Sequence, residues 1–88
     1  MARSGGSQAA TTLEAGTSAE MLFHLGMMYC LGREVERDYV TAHKWFNIAA
    51  LRGSVEARQH RCEISREMSG LEIAEAQRQA RAWIDNLH

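Results

Sequence analysis

Proline is absent from this 88-residue chain, and cysteine, tryptophan, tyrosine and phenylalanine occur only twice each. Without proline nothing in the sequence forces a helix to break. With 45% hydrophobic residues and abundant alanine, the composition points to a small all-helical domain. Two cysteines, Cys30 and Cys62, are too few for a disulfide scaffold. An excess of either charge is missing too. Ten basic residues face 11 acidic ones, a net charge of −1, so there is no clustered basic surface of the kind nucleic acid requires. No apolar run approaches the roughly 18 residues of a membrane span, and no membrane insertion is expected. The opening segment Met1-Ala2-Arg3-Ser4-Gly5-Gly6-Ser7 lacks the apolar stretch of a secretory signal. A cytoplasmic location is the default expectation, with export left open.

Residues 1–16 contain three of the seven glycines and, beyond Met1, one large apolar side chain, Leu13. Such a segment cannot bury enough surface to offset its ordering entropy, which predicts a flexible tail before a domain over residues 17–88. Within that domain, turn and capping signals separate four helices. The first opens at Thr17-Ser18-Ala19-Glu20, which has the spacing of a capping box, and runs through Leu31 to Gly32. Asp38 is the expected cap of a second helix over Tyr39–Arg52, ended by Gly53. Ser54 caps a third that continues to about Glu67. Ser69-Gly70-Leu71-Glu72 is a second capping box and opens a fourth helix reaching about Asn86.

The chain also repeats itself. His24 and His60 lie at matching points 36 residues apart, and Ala42, Trp45 and Phe46 recur as Ala80, Trp83 and Ile84 at a spacing of 38. Helical pairs recurring at this interval are the signature of an α-solenoid, in which each hairpin buries its face against the next.

The stretch Ala19-Glu20-x4-Leu25-Gly26-x2-Tyr29-x2-Gly32-x2-Val35-x2-Asp38-x3-Ala42-x2-Trp45-x3-Ala49-Ala50-x2-Gly53 resembles one complete Sel-one-like repeat, a relative of the tetratricopeptide repeats. Residues 54–88 depart from that pattern. Arg61-Cys62 and Ser65 stand where Leu-Gly and Tyr are wanted, and Met68 replaces the loop glycine. The run from Met68 to Arg78 is similar to the helical ending common on bacterial members. The resemblance implies two antiparallel hairpins in a short right-handed solenoid, residues 17–53 as a full repeat and 54–88 as a capping hairpin. It also implies scaffolding between proteins rather than chemistry, with helices of the first type lining the concave face.

The expected core comprises Leu22, Leu25, Gly26, Tyr29, Ala42, Trp45, Phe46, Ala49, Ala50, Cys62, Ile73, Ala76, Ala80, Trp83 and Ile84. Gly26 in mid-helix costs about 1 kcal/mol relative to alanine, a cost acceptable where another helix must approach closely. The fourth helix reads as properly amphipathic, with Ile73, Ala76, Ala80, Trp83, Ile84 and Leu87 on one stripe. The first does not. Between Ala19 and Leu31 only Glu20 and His24 are strongly polar, although an end helix of a solenoid needs one wet face. Two explanations stand open. These side chains all pack against the second and third helices, or Phe23, Met27, Met28 and Leu31 form a contact surface with Glu20 and His24 at its rim. The occupant is then another protein or peptide, a second copy of the chain, or the chain's own N-terminal tail.

Other chemistries find little. His60 and Cys62 are two apart and point to different helix faces; His24 and Cys30 are six apart, so neither metal nor cofactor is expected. Cys30 and Cys62 read as two buried free thiols. No nucleophile is flanked by a base, and no phosphate loop occurs, so no enzyme is expected. A helix-turn-helix DNA-binding domain is the structural rival. Its recognition helix would have to be the third, where Glu56, Glu63 and Glu67 offset the arginines.

Overall fold

The computed structural model describes residues 18–87, which form four α-helices: α1 Ala19–Leu31, α2 Tyr39–Leu51, α3 Val55–Ser65 and α4 Gly70–Asp85. Among the described residues there is no strand. The expected tail, Thr17 and His88 lie outside them.

Local side-chain chemistry sets where each helix starts. Ser18 caps α1, its hydroxyl accepting from the Met21 amide at 3.3 Å. The cap is therefore one residue later than the Thr17 box predicted. Glu20 is left as an exposed first-turn acid, well placed for the helix dipole. Asp38 accepts from the Thr41 amide at 3.2 Å and from the Thr41 hydroxyl at 2.7 Å, and Ser54 accepts from the Ala57 amide at 3.0 Å. Ser69 and Glu72 close the expected capping box reciprocally, at 3.1 and 2.8 Å.

The helix ends are tighter than expected. Gly32 adopts φ 73°, and the amides of Gly32 and Arg33 both donate to the Met28 carbonyl. α2 ends at Leu51, one residue early, ahead of Gly53 at φ 105°. α3 ends at Ser65 rather than Glu67, and the chain turns back through Glu67 N–H to Ile64 O and Met68 N–H to Ser65 O.

The two hairpins stack through α2, which packs against α1, α3 and α4, whereas α1 and α3 meet only sparsely. Its central place explains which side chains are buried. Leu22 and Gly26 of α1, Ala42, Phe46 and Ala49 of α2, and Ala76 and Ala80 of α4 are buried as expected. Leu25, Tyr29, Trp45, Ala50, Trp83 and Ile84 are half-buried against this cluster, and Ile73 is half-buried as well. Trp45 and Trp83, equivalent positions of the two hairpins, meet edge to face with centroids 5.4 Å apart and planes at 82°.

Two expectations fail here. Cys62 is exposed, not in the core: α3 turns Ala57 and Ile64 inward instead, and Cys62 falls on its outer face. Leu87 lies beyond the end of α4 and is 41% exposed, so the helical stripe that would bury it does not extend that far. The buried set also contains His43, Ile48, Ala57 and Ile64, none of which the spacing singled out. α2 is covered on three sides, so positions outside its main stripe are buried as well.

Candidate functional site

α1 divides its apolar side chains between two directions. Leu22 and Gly26 face α2, and Phe23, Leu25, Met27, Tyr29 and Cys30 lean half-buried on the core. His24 and Leu31 are exposed, Met28 is half-buried without joining the core cluster, and Met21 is 48% exposed. The helix is therefore packed against the rest of the chain along part of its apolar surface and open along the remainder.

Two hollows run along the open side of α1 and join at Phe23 and His24. One, about 380 Å³, is bounded by Phe23, His24, Met27, Met28, Leu31 and Arg33. The other, also about 380 Å³, is bounded by Ala19, Glu20, Phe23, His24, Ser54 and Glu56, where α1 faces the start of α3. The structure thus brings all six candidate residues, Glu20, Phe23, His24, Met27, Met28 and Leu31, onto one continuous groove. Arg33 and Glu56 complete it, and sequence reasoning missed both. Arg33 sits one residue past the α1 cap, and Glu56 comes from another helix, so periodicity within α1 could reveal neither.

Phe23, which borders both hollows, is held by aromatic contacts. Phe23 lies against Phe46 with centroids 5.8 Å apart and against His60 at 5.5 Å, and His60 stacks on Phe46 at 5.5 Å with the planes inclined by 25°. This contact is where α1 meets α3. It holds the Phe23 ring while leaving one edge open to solvent.

Behind the groove, α2 and α3 are joined by polar contacts. The Ser65 hydroxyl donates to the Arg61 carbonyl at 2.7 Å, the back-bond common for serine in helices. Its single proton is then used. At 3.0 Å from that oxygen, His43 Nε2 must be the protonated nitrogen and donate to it. Nδ1 of His43 is buried with no hydrogen-bond partner, and His43 is only 2% exposed. Burial, and then the Arg61 charge, hold the His43 pKa below its ordinary 6.5. Arg61 is itself directed at α2, donating to Asn47 Oδ1 at 2.9 Å. A recognition helix would need such an arginine free.

The thiols differ from each other. Both are free; Cys30 is half-buried and Cys62 exposed, which corrects the expectation that both are buried. Burial raises the Cys30 pKa; the Arg37 charge opposes that rise, and the Glu63 and Glu67 charges add to it. Among the described residues, no three His, Cys, Asp or Glu side chains are grouped to hold a metal ion. No described helix is long and apolar enough to cross a membrane. Compared with known protein families, curated proteins and solved structures, the chain matches none.

Proposed function

We propose that this chain is a non-catalytic protein-interaction module of the Sel-one-like repeat type, and that the groove along α1 is its contact surface. The observation that carries the reading is the continuous apolar groove over Phe23, Met27, Met28 and Leu31, on the one helix that lacks a polar outer face. A groove about three helical turns long, with apolar residues at i, i+4 and i+8, has the form that accepts a partner helix. Methionine side chains adapt to such a partner, because they have three flexible bonds and a polarizable sulfur. Support for the repeat family comes from the Leu25-Gly26, Tyr29, Gly32, Ala42, Trp45 and Ala49-Ala50 spacing, together with the stacked hairpins and the Trp45–Trp83 contact between equivalent positions. The role is adhesion without chemistry, in keeping with hollows that lie open on the surface rather than an enclosed cavity.

A photocrosslinking amino acid in place of Met28 tests the reading, with the same group in place of exposed Arg81 on α4 as the control. Protein adducts from position 28 in cells of the natural source, lost with Phe23→Glu, are expected. Equal labelling from both positions, or none from 28, overturns it.

A further inference from the structure

The groove has a charge pattern that its apolar floor does not require. Its α1 N-terminal end is acidic, with Glu20 and Glu56 on its wall, and its other end is basic, with Arg33. Glu20 and Arg33 are exposed, and among the described residues none of the three makes an ion pair. Between the two ends lie Phe23, Met27, Met28 and Leu31, without a charge. The order is therefore acid, apolar, base along a length of about 20 Å.

A stripe of that order is complementary to itself when turned end for end. From it we infer that the occupant of the groove is a second copy of the chain, docked through α1 against α1 in antiparallel fashion about a two-fold axis near Met27. Glu20 and Glu56 of each copy then face Arg33 of the other, and the two Met27–Met28 segments meet at the centre. A two-fold interface is isologous, so each favourable pair occurs twice without any further feature in the sequence. Complementary charge at the ends also sets direction and register, because a parallel arrangement would oppose acid with acid. The segment preceding α1 is a poor rival for the groove, since residues 1–17 contribute only Leu13 beyond Met1 as a large apolar side chain.

This inference rests on the reading of the α1 groove as a protein-binding surface and names the protein. The test uses the 88-residue chain in sedimentation or light scattering over a concentration series at low salt, with circular dichroism to verify that each variant is helical. The wild type is expected to reach twice the monomer mass as concentration rises. Glu20→Arg and Arg33→Glu are each expected to weaken association roughly tenfold or more, because the first makes two attractive pairs repulsive and the second four. An equal mixture of the two variants is expected to associate more tightly than either variant alone and to regain most of the wild-type association. In the mixed pair both couples between positions 20 and 33 are again opposite in sign, only Glu56 of the Glu20→Arg copy meets a like charge, and mixing cannot repair a folding defect.

A wild type that stays monomeric throughout overturns the self-pairing while leaving the Met28 crosslinking test to judge the groove itself. A dimer indifferent to both charge reversals, or one that mixing does not restore, overturns the antiparallel arrangement. A dimer that also withstands Met27→Glu forms elsewhere on the molecule and overturns the inference, the Met28 crosslinking test again judging the groove itself.

Discussion

The Phe46 ring lies directly on the backbone of Gly26: a Cβ built on that glycine would fall 2.5 Å from Phe46 Cδ1 and 3.1 Å from Cγ. Phe46 is fully buried on the central helix, so it has no room to withdraw. In an isolated helix Gly26→Ala would gain about 1 kcal/mol. Here it is expected to lose about 1–3 kcal/mol net, because overpacking exceeds the gain in propensity. Urea unfolding of the two proteins, with unchanged m-value, measures the difference.

Glu34 carries the opposite sign. It is the only non-glycine among the described residues with positive φ, 64°, in the turn between α1 and α2. A side chain in that left-handed region costs about 1 kcal/mol, so Glu34→Gly is expected to stabilise the fold by roughly half to one kcal/mol. A lower urea midpoint for this variant would contradict the assigned turn.

His43 makes stability depend on pH in a defined direction. Its folded pKa lies below the ordinary 6.5, so between these two values the unfolded chain binds a proton that the folded chain does not. The stabilisation is complete above pH 6.5 and is lost as pH falls through the lowered folded value. Glu75, drawn down to about 2 from 4.5 by its bonds to Arg78 and Gln79, gives stability that is complete above pH 4.5 and is lost only as pH falls from 4.5 to about 2. Unfolding measured from pH 7.5 down to 5 therefore reports mainly on His43 among the shifted groups. His43→Gln, which retains a donor but does not titrate, is expected to flatten the slope.

Removing Ser65 tests the buried contact of His43. Ser65→Ala leaves His43 Nε2–H buried without a partner and is expected to cost about 1–3 kcal/mol. The exposed Ser69→Ala at the α4 cap loses a different interaction and is expected to cost about 1 kcal/mol. Finding Ser65→Ala neutral in urea unfolding would contradict the buried contact between His43 and Ser65.

The thiols are expected to separate kinetically. Cys62 is exposed and reacts promptly with a disulfide reagent in native buffer, whereas Cys30 is half-buried with a raised pKa and reacts slowly. In denaturant both react at a common rate. Two equal native rates would place Cys62 wrongly.

The sequence by itself determined the four helices and, within a residue, where each begins. Ser54, Asp38, Ser69-Glu72 and Gly32 act on backbone groups within four residues, so their effect is local and readable, and the one misplaced cap moved only from Thr17 to Ser18. Periodicity likewise placed Leu22, Phe46, Ala49 and Ala80 inside, because α-helical spacing maps directly onto a face. The six groove residues could be named for the same reason: all lie on α1. Tertiary structure alone decided what depends on more than one helix. Packing α2 against three neighbours buried His43 and Ile48, and rotating α3 to bury Ile64 put Cys62 in water. The approach of α3 to α1 added Glu56 to the groove, giving it an acidic end opposite Arg33. Such charge order arises between helices, and no pattern along a single helix contains it.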